Sequence, residues 1–132
     1  MKTTEENSLY LLGKARGIDL PKKHIIDLHQ FEDLSLSNRM NIIIRLKNRS
    51  VAIYRYDTII YYFDSHGKAP NQNIIKKFSN EIVFNTYHFK HIEKTNYTLY
   101  CLMFLHAMKR KITYEDFIAY FQDKDDELNK NL

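Results

Sequence analysis

A thiolate, an imidazole to take its proton and a third group to orient that imidazole make an acyl-transfer site, with donors facing the developing oxyanion. The 132-residue chain has one cysteine, Cys101, and six histidines. A nucleophilic Cys101 would draw on His88, His91 or His106 as base and would need partial exposure and a depressed pKa. Its setting, Leu99-Tyr100-Cys101-Leu102-Met103-Phe104-Leu105, is also that of a small buried hydrophobe, the commoner fate of a lone cysteine in an apolar helix. Asp64 is the carboxylate that stands out, because Asp64-Ser65-His66-Gly67 follows an apolar run. It reads either as an acid at a strand end or as a turn residue that caps its own backbone. His66, His88 and His91 would be the ligands of a metal site. Their spacing matches no recognised signature and no supporting carboxylate is evident, so no cofactor or metal is expected. Arg45, Lys47, Arg49 and Arg55 cluster with Tyr54 and Tyr56. Strand alternation would put several of them on one face, either for nucleic acid or simply as a solvated surface.

The elements that position these groups belong to one compact domain. The length allows one core, and with 44% hydrophobic residues, 10 Tyr and 8 Phe against 3 Gly and 2 Pro the composition opposes disorder. A net charge of +4 favours acidic surfaces or nucleic acid without specifying either. One cysteine excludes an intrachain disulfide framework or a cysteine-rich zinc site, and points to an intracellular setting. No leader and no membrane span are expected, since the first residues are acidic and no long uncharged run occurs.

Along the chain, residues 4–15 predict a short amphipathic helix, with residues 1–17 as the N-terminal helical segment. A short strand is expected over 24–28 and a polar turn over 33–38. Residues 41–46, 50–54 and 58–63 are rich in Ile, Val and Tyr and separated by short polar breaks, the pattern of consecutive antiparallel strands. A helix over 71–78, with Ile74, Ile75 and Phe78 inward, covers the sheet. Another strand over 81–85 alternates Ile82 and Phe84 against more exposed positions, and residues 86–96 read as a loop in their second half. Residues 98–108 are apolar nearly all round and end in Lys109-Arg110-Lys111, describing a buried central helix. Thr113 starts a last helix with Phe117, Ile118 and Phe121 inward, and residues 122–132 read as a charged tail.

Two blocks carry a likeness. Tyr61-Tyr62-Phe63-Asp64-Ser65-His66-Gly67-Lys68-Ala69-Pro70 resembles the strand and turn that hold the catalytic acid in adenovirus-type cysteine proteases and related enzymes of large DNA viruses. Leu99-Tyr100-Cys101-Leu102-Met103-Phe104-Leu105-His106-Ala107-Met108 looks like their central helix, and the Tyr-acidic-Phe segment Tyr114-Glu115-Asp116-Phe117 extends the match. The resemblance covers residues 20–121. It implies an α+β fold, a mixed or antiparallel sheet packed on a buried central helix, of the adenain/Ulp1-like type.

The same alignment implies that the chemistry is gone. The family nucleophile lies one helical turn before the helix cysteine, and that place holds Tyr97, followed by Thr98 where glycine is expected. A phenol of pKa about 10 is no activated thiolate. The family histidine begins the strand before the acid, and here Arg49-Ser50 does; arginine stays protonated and is no general base. The oxyanion glutamine has no counterpart, its neighbourhood holding His91 and Glu93. Arg49, Asp64 and Tyr97 are thus the degenerate triad positions. The implied protein is a non-catalytic pseudoprotease of viral or virus-derived origin, a structural or protein-interaction module in host cytoplasm, nucleus or virion. Its partner would be a viral or host protein. The other readings are a nucleic-acid-binding accessory protein using Arg45, Lys47, Arg49 and Arg55, and a cysteine peptidase rearranged around Cys101.

Overall fold

The computed structural model describes residues 25–34, 41–78, 81–88 and 97–130, with side chains in the last helix described as far as 120 and at 122 and 123. The helix expected over 4–15 and most of the turn expected over 33–38 lie outside the described residues. The described chain is α+β: five strands in one mixed sheet, with four helices.

In chain order the elements are β1 (Ile25–Asp27), α1 (Leu28–Glu32), β2 (Asn41–Arg45), β3 (Ser50–Tyr56), β4 (Ile59–Phe63), α2 (Gln72–Lys77), β5 (Glu81–Phe84), α3 (Tyr97–Lys109) and α4 (Tyr114–Lys130). The sheet runs β1-β2-β3-β4-β5. β2, β3 and β4 form an antiparallel meander, with Ile43 opposite Ala52 and Ala52 opposite Phe63. β1 and β5 join its two sides in parallel. Each parallel connection needs a crossover over the sheet, and α1 and α2 supply them.

Successive residues on a strand face opposite sides, so the continuous run Ile42-Ile43-Ile44 demands apolar cover on both. One face, with Ile25, Ile43, Ala52, Tyr54 and Phe63, packs against α3 and the start of α4 through Cys101, Phe104, Leu105, Met108, Tyr114 and Phe117. The other, with Ile26, Ile42, Ile44, Val51, Ile53, Ile60 and Tyr62, packs against Phe31 of α1 and Ile74 of α2. The ring of Phe63 stacks on Phe104 at 5.4 Å and meets Phe117 edge-on at 5.4 Å, an arrangement aromatic quadrupoles favour.

The elements depart from the sequence expectation in detail. The strand expected over 24–28 stops at Asp27, whose carboxylate accepts from the Gln30 N–H while Gln30 caps back, starting α1; this reciprocal box is a strong start signal. On α2, Ile74 is buried but Ile75 is 37% exposed. On β5, Val83 packs on the α3 side and Phe84 is 39% exposed, because the parallel register with β4 sets which face each residue meets. The charged segment after Gln122 is no tail as far as Lys130, since α4 continues through it.

Candidate functional site

β2, β4 and β5 finish at the end of the sheet where β3 and α3 begin, and the chemistry-bearing residues collect there. Asp64 is the first residue past β4 and is 0% exposed. A buried carboxylate must be paired and fully hydrogen-bonded. Arg49, just ahead of β3, supplies the pairing: its Nε lies 3.0 Å from Oδ1 and 2.9 Å from Oδ2, and its Nη2 2.9 Å from Oδ2. The His66 N–H donates to Oδ1 at 2.9 Å, closing the Asp-Ser turn, so the capping role expected of Asp64 is present beside the ion pair.

The Asp64 backbone is satisfied by a side chain. Asn85, the residue after β5, accepts from the Asp64 N–H at 3.1 Å and donates through Nδ2 to the Asp64 carbonyl at 2.6 Å. The Tyr114 hydroxyl reaches the same place, donating to the Tyr62 carbonyl at 2.8 Å and lying 3.2 Å from Asn85 Oδ1. Burial pushes the Tyr114 phenol far above its ordinary range, which keeps it a donor.

Tyr97 opens α3 and is 9% exposed. Its hydroxyl lies 2.8 Å from His66 Nε2, with the two rings edge-on at 5.0 Å. On its other side His66 stacks on His88 at 5.0 Å. Next to Tyr97, Thr98 Oγ1 is 3.4 Å from Ser50 Oγ. Above these groups opens a depression of about 240 Å³ lined by the turn from Arg45 to Ser50 together with Tyr97 and Thr98.

Burial is the main cause that pulls the His66 pKa below its ordinary 6.5; the Asp64 charge opposes it, and Arg49, His88 and Lys68 lower it further. A depressed histidine binds fewer protons folded than unfolded, so its contribution is complete above about pH 6.5 and is lost as pH falls through the folded value. Urea melts of His66→Gln and the native protein should therefore differ in slope against pH below about 6.5, the variant being flatter. Parallel slopes would mean that His66 is not coupled to folding.

Arg49, Asp64 and Tyr97 are brought to one place, with His66 linking the Asp64 turn to Tyr97. Arg45, Lys47 and Arg49 line the depression. Arg55 does not join them. It sits at the far end of β3, about 20 Å away at the usual strand rise, with its Nε 3.2 Å from the Asp57 carbonyl. Cys101 is fully buried in the α3 core. Burial, with the Asp64 charge adding, pushes its thiol well above the ordinary range, the opposite of what a nucleophile requires. The rearranged peptidase thus lacks the exposure and acidity it demands. Among the described residues no group of three His, Cys, Asp or Glu is placed to hold a metal, and His91 and Glu93 lie outside them. Nor is any described helix long and apolar enough to cross a membrane.

Three partners carry no sequence signal for these roles. In the sequence His66 stands out in the turn block and as a metal ligand, Asn85 as a polar residue ending a strand, and Tyr114 in the Tyr-acidic-Phe segment, none of which points to these contacts. Their roles depend on where β5 and α4 arrive, not on local spacing.

Searches of protein-family models, curated proteins and solved structures found no match.

Proposed function

We propose that this chain is a non-catalytic pseudoprotease of viral or virus-derived origin, with the adenain/Ulp1-like arrangement, acting as a protein-interaction module. The depression at the start of α3 is its contact site. One observation carries the reading: where catalysis needs an imidazole beside a thiolate, Arg49 is locked onto buried Asp64 and the Tyr97 hydroxyl is held by His66. The groups that a hydrolase would leave ready to move protons are joined in a closed set of hydrogen bonds, and the sole thiol is in the core. The resemblance of residues 61–70 and 99–108 supplies the family.

The test pairs two readouts on the full chain. A photocrosslinking side chain replaces Lys47 in one variant and Arg55 in another, and both are irradiated in cells that carry the protein. A discrete polypeptide adduct at position 47 and none at 55 is expected; a nucleic-acid adduct would favour the accessory-protein reading. In parallel, a thiol electrophile should label Cys101 only after unfolding, by intact mass. Rapid native labelling that persists at pH values below the ordinary thiol range would overturn the non-catalytic reading.

A further inference from the structure

The depression is built for a particular charge. Among the described residues its lining holds Arg45, Lys47, Arg49, Ser50, Tyr97 and Thr98, and no carboxylate. Asp64 lies behind Arg49, and Asp27, opposite Arg45 in register, uses its carboxylate to cap α1. Asp64 also does something for the site. By gripping Nε and Nη2 it fixes the guanidinium plane and leaves the Nη1 donors outside the pair. A guanidinium fixed in advance loses little side-chain entropy when a ligand arrives.

Donors reach the depression from two walls, the β2–β3 turn and the first residues of α3. A planar carboxylate presents one edge and one charge. A phosphoryl group carries between about −1.5 and −2 at neutral pH, with three acceptor oxygens pointing apart, and so meets both walls at once. Arg55 does not extend the cluster into a track, being at the opposite end of β3, and a nucleic-acid backbone needs phosphates gripped in series.

Resting on the interaction-module reading above, we infer that the depression is a phosphoryl-binding site that takes a phosphorylated segment of a protein partner. Lys47, exposed on the turn, serves as its adjustable cation, Arg49 as its fixed one, and Thr98 and Ser50 as hydroxyl donors from facing elements.

NMR titration of the full chain tests this with defined probes: inorganic phosphate, a short phosphoserine peptide, its serine and glutamate counterparts, and oligothymidine. Phosphate should shift the amides of residues 46–50 and 97–98. The phosphoserine peptide should bind at least about ten-fold more tightly than the serine and glutamate peptides. Lys47→Glu, a change on an exposed turn that leaves the core alone, should remove that difference, and Thr98→Ala should reduce it. No shift at about 10 mM phosphate, or shifts centred elsewhere, would overturn the site. Equal binding of the glutamate and phosphoserine peptides would overturn the phosphoryl assignment yet leave the interaction module standing. Tighter binding of oligothymidine than of any peptide would remove both.

Discussion

Asp64→Ala should cost about 3–5 kcal/mol of unfolding free energy, the range for breaking a buried ion pair from one side. The loss has a definite source. The carboxylate is 0% exposed and accepts from Arg49 and from the His66 N–H. Removing it strands a guanidinium whose side chain is only 16% exposed. That residual exposure lets water recover part of the charge's solvation and places the expected value toward the lower end. Arg49→Met combined with Asp64→Ala should lose less than Asp64→Ala alone, because no uncompensated charge is left buried. Urea unfolding of the two single variants and the double variant measures the coupling. Strictly additive losses would mean that the pair contributes nothing as a pair.

Gly67→Ala is expected to be comparably severe, about 3 kcal/mol or more, through backbone geometry. Gly67 has φ +68, and a Cβ there would lie 2.6 Å from the Thr86 carbonyl oxygen and 2.7 Å from the Tyr87 carbonyl. The left-handed conformation alone accounts for about 1–2 kcal/mol; the rest comes from pushing apart two backbone segments that have no flexible end to yield. Lys111 provides the control of opposite sign. It holds φ 64 just past α3, where Lys111 N–H bonds the Met108 carbonyl and Ile112 N–H bonds the Ala107 carbonyl. This is the Schellman closure at the position glycine usually fills. Lys111→Gly should stabilise by up to about 1 kcal/mol. If Gly67→Ala melted like the native protein, the close approach to residues 86–87 would be refuted.

Those two sites also show what the sequence could and could not reveal. The meander was legible because Ile, Val and Tyr runs are separated by short polar breaks, and Leu46–Arg49 is closed by a Leu46 N–H to Arg49 carbonyl bond of 2.7 Å. The central helix was legible from its near-uniform apolarity; of Tyr97–Lys109, seven side chains are buried. The parallel joins of β1 and β5 were not, since a four-residue strand such as Glu81-Ile82-Val83-Phe84 looks alike in either direction and its inward residue depends on the neighbour's register. At the site, Arg49, Asp64 and Tyr97 were singled out in the sequence, and the structure brings them together. The bonds that define the arrangement could not be read there: Asn85 serving the Asp64 backbone and His66 meeting Tyr97 span 21 and 31 residues. Composition likewise could not show that Arg55 leaves the basic cluster, because strand length separates what sequence proximity joins.

The two-sided core has one further consequence. In a sheet with one wet face, sliding a strand by one residue exposes its apolar side chains, and that penalty fixes the pairing. Here Ile42, Ile43 and Ile44, like Val51, Ala52 and Ile53, are all 0% exposed. A slipped strand would still present apolar groups to both layers, so polarity carries little positional information at the middle of the sheet. The phase of the meander must be written at its ends. Arg49 on Asp64, and Asn85 on the Asp64 backbone, tie β3 and β5 to β4 at one fixed offset. The buried Asp64 carboxylate and its backbone then serve as the index mark by which the strands are aligned.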